Sequence, residues 1–478
     1  MILVRNYING IFVDSKETIE DINPATSEVI ATIPRSNLND VNEAVLAADK
    51  ARDNWSSLSL DERRKWLEKI ANALEARSEE IAKLESLDTG KPIKIARAVD
   101  ASRSVANFRF FAEFSKDFHE QKFLMEDATN HVIFKPVGIA GLITPWNLPL
   151  YLLSWKIAPA IVMGNTVVAK PSELTPLTAN LLAEVFDEVG LPAGVVNIVH
   201  GFGHETGQAI VSHPLVNLIS FTGGTITGKK VAETAAPMFK KLSLELGGKN
   251  PNIVFADCDL DKAVSTSVLS SFSNQGQICL CGSRIFIERK IYQDFKNKFL
   301  DKVQNLTIGD PLENTTKIGA LVSNDHMQKV LNHIQIANDD GGVLLSGGKK
   351  YIPEGRCENG YFVEPTVFEG LSYNCATNQE EIFGPVVTLT PFDNEDEVIK
   401  YANSTKYGLS ATVWTKDLNK ANRMSHLLQS GIVWVNCWLV RDLRTPFGGV
   451  KESGVGREGG AYALNFFTET TNVCISYD

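Results

Sequence analysis

The sequence predicts an α/β protein with two open, mainly parallel sheets in series. From residue 139 onward, short apolar segments alternate with helical runs, the pattern of a parallel sheet joined by crossover helices. The alternation restarts near residue 252, which points to a second sheet and a cleft between the two. Composition agrees: 35 Gly, 19 Pro, 44% hydrophobic and 22% charged residues among 478 are ordinary for a globular chain and exclude collagen-like and low-complexity classes.

Residues 38–88 read as helices, one of them opening at Leu60 with Asp61 and Glu62 in its first turn, where the helix dipole favours acids. Strands are predicted at 139–143, 166–169, 195–199 and 218–221, with a helix at 178–188. The second series runs through a strand at 252–255, a helix at 260–274 and a strand at 284–287. It continues with a strand at 386–389, a helix at 395–403, a strand at 411–415, a helix at 417–429 and a strand at 432–435. The boundary between the units falls near Leu246-Gly247-Gly248-Lys249-Asn250-Pro251. Two further strands, 131–136 and 472–476, lie outside the series and are candidates to pair with another subunit.

The 47 basic and 57 acidic residues give a net charge of −10, and no basic stripe invites nucleic acid. The seven cysteines are sparse and odd in number, and no apolar leader precedes residue 7, so free thiols in a reducing, cytoplasmic compartment are expected. The most apolar stretch, 142–163, is interrupted by Pro145, Asn147, Pro149, Lys156 and Pro159 and does not read as a membrane span.

Several segments could carry chemistry. Gly454-Val455-Gly456-Arg457-Glu458-Gly459 matches a dinucleotide fingerprint but follows a loop rather than a strand and precedes no βαβ unit, so it is set aside. Phe221-Thr222-Gly223-Gly224 is better placed, at the end of a strand and the start of a helix whose free N–H groups can meet a pyrophosphate, or simply form a tight turn. Lys170 and Glu173 end another strand and could hold ribose hydroxyls, the carboxylate favouring NAD over its phosphorylated form, or form a surface ion pair. Cys279 follows a helix and is a candidate nucleophile or a buried thiol. With Cys281 it makes no metal site, since no second pair at metal spacing exists. Glu245, in an apolar strand ending in glycines, is either exposed at an edge or held dry as a base. Asn147 is either a satisfied core amide or an oxyanion donor.

In order along the chain, Pro145-Trp146-Asn147, Lys170-Pro171-Ser172-Glu173, Phe221-Thr222-Gly223, Leu244-Glu245-Leu246-Gly247-Gly248, Gly276-Gln277-Ile278-Cys279, Glu380-Glu381-Ile382-Phe383-Gly384-Pro385 and Pro446-Phe447-Gly448-Gly449 resemble the NAD(P)-dependent aldehyde dehydrogenase superfamily over nearly the whole length. The resemblance implies an aldehyde dehydrogenase-like fold of two Rossmann-like open-sheet domains with a small oligomerisation strand element. It implies NAD binding by 1–120 and 139–246, catalysis by 247–460, and oligomerisation through 121–138 and 461–478 into a homodimer or homotetramer. Cys279 would attack the aldehyde, Asn147 would hold the oxyanion and Glu245 would activate the hydrolytic water. NAD would meet Thr144, Trp146, Lys170, Ser172, Glu173, Gly203, Phe221, Thr222, Gly223, Gly224, Leu246, Glu381 and Phe383. Gly224 departs from the family, where a small hydroxyl residue often follows Gly223.

The segment Val435 to Gly449 carries two arginines, Arg441 and Arg444. With Arg103 it is similar to the 2-aminomuconate and 2-hydroxymuconate semialdehyde dehydrogenases, in which two arginines grip a distal carboxylate. The match maps them to Arg103 and Arg441. Ala101-Ser102 replace the family's usual Ile-Pro, leaving Arg109 as an alternative. Arg441 pairing with Asp442 is the competing structural role. The implied reaction is NAD-dependent oxidation of a carboxylated semialdehyde. Retinal, betaine or aromatic aldehydes, and a non-catalytic crystallin-like role, are the alternatives. A CoA-acylating enzyme is disfavoured because it would not need Glu245.

Overall fold

The apolar segments between 139 and 245 lie side by side in an eight-stranded sheet. The structure, a computed structural model, describes residues 1–477. Strand Ile139–Ile143 pairs in parallel with Thr166–Lys170 on one side and Val216–Thr222 on the other. Val196–Ile198 and Lys241–Glu245 extend the parallel core outward. Both faces are buried, so the strands read as continuous apolar runs rather than alternating ones. Ala140, Leu142, Val167 and Ala169 face one core, and Ile139, Ile143, Val168 and Ile219 the other. Two antiparallel additions were not anticipated: Asn6–Ile8 with Ile11–Val13 at one edge, and Gly454–Val455 at the other.

Helices at 38–88 form as predicted, as Leu38–Ser56, Leu60–Ala76 and Ser78–Thr89. Reciprocal capping bonds fix two of the starts, Asn37 with Asp40 and Ser59 with Glu62. Helix Pro149–Val162 is buried nearly all round and packs between the sheet and helix Ser102–Phe114.

The second sheet has seven strands. In spatial order they are Val343–Ser346, Thr366–Glu369, Val386–Phe392, Arg284–Glu288, Pro251–Val254, Ser410–Trp414 and Ile432–Val435, all parallel except the first. The two outermost strands of the chain's flanks, Ala128–Pro136 and Thr468–Ser476, pair with one another over nine register positions. Gln121–Leu124 completes this three-stranded sheet.

One predicted element ends early. The helix expected to reach residue 274 stops at Phe272. Asn274, Gln275 and Gly276 then adopt φ of 49°, 57° and 74°, three successive left-handed residues that no α-helix accommodates. Side-chain amides hold the turn: Asn274 Nδ2 donates to the Asn147 carbonyl at 3.1 Å, and Gln275 Nε2 to the Ala320 carbonyl at 2.8 Å. A Cβ at 276 would stand 2.2 Å from the Gly384 carbonyl, so only glycine fits. The turn thereby ties the loop that carries Cys279 to Asn147, in the loop after strand Ile139–Ile143.

Candidate active site

The first sheet places its ligand end by topology. Strands Ile139–Ile143 and Val216–Thr222 are neighbours although two strands separate them in sequence, so the chain leaves in opposite directions at their carboxyl ends. Such a switch point is where open α/β sheets bind ligands. A cavity of about 800 Å³ opens there and continues to the loops entering the second sheet. Thr144, Trp146 and Asn147 follow the first strand, Lys170, Ser172 and Glu173 the second, Thr222 to Gly224 a third, and Glu245 and Leu246 a fourth, and all line it. Gly203, Phe221, Cys279, Glu381, Phe383, Arg103 and Arg441 line it as well. Every residue singled out from the sequence as a site residue is thus in one cavity. The alternative arginine, Arg109, is not: it pairs with Glu75 on the surface at 2.5 Å. Asp442 pairs with Arg444 at 2.6 Å, leaving Arg441 to the cavity.

Cys279 is partly exposed. Its backbone carbonyl accepts from Asn250 Nδ2 at 2.7 Å, and the same amide holds the Cys281 carbonyl at 2.9 Å. Asn147 Nδ2 donates to the Gln277 carbonyl at 2.9 Å, fixing the amide beside the cysteine loop. Burial, with Glu381 and Glu245 adding negative charge, pushes the Cys279 thiol far above its ordinary range.

Glu245 ends an interior strand, and neither carboxyl oxygen has a hydrogen-bond partner among the described residues. Burial and the nearby Glu458 carboxylate raise it well above the usual carboxylate range. Glu458 itself is tied to the buried Lys156 ammonium at 2.6 Å. Glu458 and Lys156 were missed from the sequence. Glu458 sits inside the G-x-G-x-x-G match set aside in the sequence analysis, and nothing in its local pattern marks it.

Glu381 accepts from the Gly248 N–H at 2.9 Å, and burial pushes it up to about 7. A Cβ at 247 would come within 2.1 Å of its carboxylate, so glycine there permits the approach. Phe383, at φ 60°, stands edge-on to Trp146 with centroids 5.2 Å apart. His326, also unpredicted, bonds the Phe383 carbonyl at 2.7 Å. Lys170 and Glu173 pair at 2.9 Å. Gly224 begins helix Thr225–Ala235, and a Cβ on it would meet nothing within 4 Å. The family departure at this residue therefore reflects no steric demand.

At the other end of the cavity, Arg441 Nη1 donates to the Tyr151 hydroxyl at 2.5 Å, and its guanidinium lies over the rings of Trp155 and Phe447 at 4.7 and 4.1 Å. Arg103 lies 5.3 Å from the centre of the Tyr151 ring. In each arginine the buried Nη2 has no hydrogen-bond partner among the described residues. Buried donors are rarely left so. Tyr151 joins the two arginines and had no sequence signal beyond its apolar neighbours.

The Aldehyde dehydrogenase family model matches residues 12–473. The chain belongs to the aldehyde dehydrogenase family. It is 50% identical to 2-aminomuconic semialdehyde dehydrogenase of Danio rerio, the match covering 100% of this chain and 99% of that one. It is 45% identical to 2-hydroxymuconic semialdehyde dehydrogenase of Pseudomonas sp. (strain CF600), over 99% of each. Among solved structures, an NAD+ complex of aldehyde dehydrogenase from Bacillus cereus superposes with a TM-score of 0.97 at 39% identity, covering 100% of this chain and 97% of that one. As in that family, the two open sheets and the short strands that link the flanks make one α/β architecture. Among the described residues, no group of three or more His, Cys, Asp or Glu could hold a metal ion, and no helix is long and apolar enough to cross a membrane.

Proposed function

We propose that the chain oxidises a carboxylated semialdehyde, 2-aminomuconate 6-semialdehyde or 2-hydroxymuconate semialdehyde, to the acid with NAD. The observation that carries the substrate class is the pair of buried, unpartnered guanidinium nitrogens on Arg103 and Arg441, in the same cavity as the thiol. A carboxylate satisfies both through charge-assisted bonds. The names of the muconic semialdehyde relatives support the same reading.

The cavity fits NAD. The Thr144 and Thr222 hydroxyls are buried with no hydrogen-bond partner among the described residues, Lys170 and Glu173 offer a cation and a carboxylate for ribose hydroxyls, and the start of helix Thr225–Ala235 offers free N–H groups for phosphate. Ser172, Gly203, Phe221, Gly223, Gly224, Leu246, Glu381, Phe383 and Trp146 complete the lining. When bound there, NAD supplies the hydride acceptor. Cys279 gives up its thiol proton to solvent water and Sγ adds to the aldehyde carbon, while Asn147 Nδ2–H with the Cys279 N–H holds the oxygen that becomes negative. Loss of hydride restores the C=O as a Cys279 thioester. Glu245 takes a proton from water, which adds to that carbonyl, and the C–S bond breaks to release the acid. Covalent addition divides one hard step into two easier ones.

In the same reading, 1–120 with 139–246 binds NAD and 247–460 brings the thiol and its loop. Seven unpaired thiols support a reducing, cytoplasmic setting. The three-stranded sheet of Gln121–Leu124, Ala128–Pro136 and Thr468–Ser476, within the segments 121–138 and 461–478 assigned to oligomerisation, exposes Phe123, Leu124 and Ile475 and supports assembly as a homodimer or homotetramer.

The test is NADH formation with 2-hydroxymuconate semialdehyde made in situ against hexanal, benzaldehyde and betaine aldehyde. A kcat/KM advantage of about 100-fold for the carboxylated substrate is expected, about 2.7 kcal/mol of differential transition-state binding. Arg441→Ala should erase most of that advantage by raising KM. A flat profile in the parent protein, or equal losses on all substrates in the variant, overturns the carboxylate clamp.

A further inference from the structure

Lys91 is a fully buried cation to which the reaction steps above give no part. It follows Gly90, whose left-handed φ of 73° ends helix Ser78–Thr89 and turns the chain inward. Its ammonium donates to Asp100 Oδ2 at 2.8 Å and to the Asn147 backbone carbonyl at 3.0 Å, and Glu85 Oε2 lies 3.6 Å away. Bringing one cation and two carboxylates out of water is costly, so such a group persists only where its geometry is well satisfied.

Each partner leads to a different wall of the cavity. The Asn147 carbonyl also accepts from Asn274 Nδ2, and its side-chain amide donates two residues before Cys279. The proposed oxyanion donor is thus held at both ends. Asp100 lies in the π-helical turn Ala96–Ala101, whose Ala98 and Val99 line the cavity, and Arg103 follows three residues later. Such turns are rare and concentrate at functional sites. Glu85 Oε1 accepts from the Leu150 N–H at 3.0 Å, immediately before Tyr151. One ammonium therefore ties the oxyanion donor to the segments that carry Arg103 and Tyr151.

We propose that Lys91 is a positioning residue that couples the distal-carboxylate clamp to the oxyanion donor, giving both one rigid mount. The proposal rests on the assignment of Asn147 as that donor. Misplacing such a group by about 1 Å costs up to about 100-fold in rate.

A double-mutant cycle on the full-length protein tests it, with kcat per active site and KM measured separately from NADH formation. Lys91→Met is expected to lower kcat by about 30-fold or more, and Asn147→Ala by about 100-fold or more. The double variant is expected within about threefold of Asn147→Ala alone, because groups acting as a unit are not additive. Full additivity overturns the coupling, as does a Lys91→Met variant with the parent kcat. A purely structural lysine changes the melting temperature and the yield of active sites but not kcat per site. Lys91→Met leaves two carboxylates buried without their cation, so Asp100→Asn is run beside it. This variant keeps the lysine and a neutral acceptor. It is expected to show the same non-additivity with Asn147→Ala and a larger KM rise for the carboxylated aldehyde than for hexanal. Equal KM changes on both substrates overturn the link to the clamp. A parent rate for Asn147→Ala overturns the Asn147 assignment itself, a result distinct from additivity.

Discussion

Cys279→Ala is expected to abolish NADH formation with every aldehyde, by about 10⁴-fold or more in kcat. Hydride cannot leave a planar aldehyde carbon readily, and a nucleophile must first make that carbon tetrahedral. Cys279 and Cys281 are two residues apart and both line or approach the site, but only Cys279 lines the cavity; Cys281 packs with Leu280, Leu409 and Trp434. Cys281→Ala is therefore the matched control and is expected to keep the rate within about tenfold, the scale of a small buried truncation. Should Cys281→Ala abolish the reaction and Cys279→Ala leave it intact, the nucleophile has been assigned to the wrong thiol. Burial holds the Cys279 thiol well above its ordinary range in the protein alone. Modification by iodoacetamide should accordingly be slow at pH 7 and accelerate as pH rises, while Cys279→Ala removes that fast-growing component.

The parts of this site that were legible in the sequence are those carried by strand ends. A parallel strand buried on both faces reads as a mainly apolar run, so 139–143, 166–169 and 218–221 announce themselves, and the polar residues directly after them fall at the ligand end of the sheet. Lys170 and Thr222 are found this way, whereas Asn147 stood out as an amide in an apolar stretch and Thr144 was reached through the family resemblance. Residues 273–274 were misread as the end of the helix because Ser and Asn there carry no strong helix-stopping signal; only the amide bonds of Asn274 and Gln275 to Asn147 and Ala320, contacts over 127 and 45 residues of sequence, bend the chain there. Glu458, Lys156 and Lys91 escaped for the same reason. Their surroundings are assembled from distant segments: Lys156 meets Glu458 across 302 residues. Lys91 meets Asn147 across 56. Arg441 was found through resemblance, whereas its partner Tyr151, 290 residues away, was visible only in three dimensions. The short antiparallel strands at 6–8, 11–13 and 454–455 are too brief for any period to appear.

Glu245→Gln is expected to separate the two halves of the reaction. If Glu245 serves the hydrolytic water, the variant still forms the thioester, so one equivalent of NADH per active site appears rapidly. The steady rate that follows should fall by about 10²- to 10³-fold, the usual contribution of a positioned general base. Acid quenching should then trap an acyl group on Cys279. The pH dependence follows from the carboxyl's surroundings. Burial and Glu458 keep Glu245 protonated well above the ordinary carboxylate range, and only the ionised form can accept a proton from water. In the parent protein the steady rate should therefore climb as pH rises through that elevated range, and in Glu245→Gln this climb should vanish. Glu458→Gln removes the negative neighbour, so it should let Glu245 ionise at lower pH and move the same climb toward acid. A different result is equally readable: if Glu245→Gln slows the first turnover as much as the steady state and yields no burst, the carboxylate takes the proton from Cys279 rather than from water. That outcome would leave the dry pocket around Glu245 explained by acylation and return the hydrolytic role to another group.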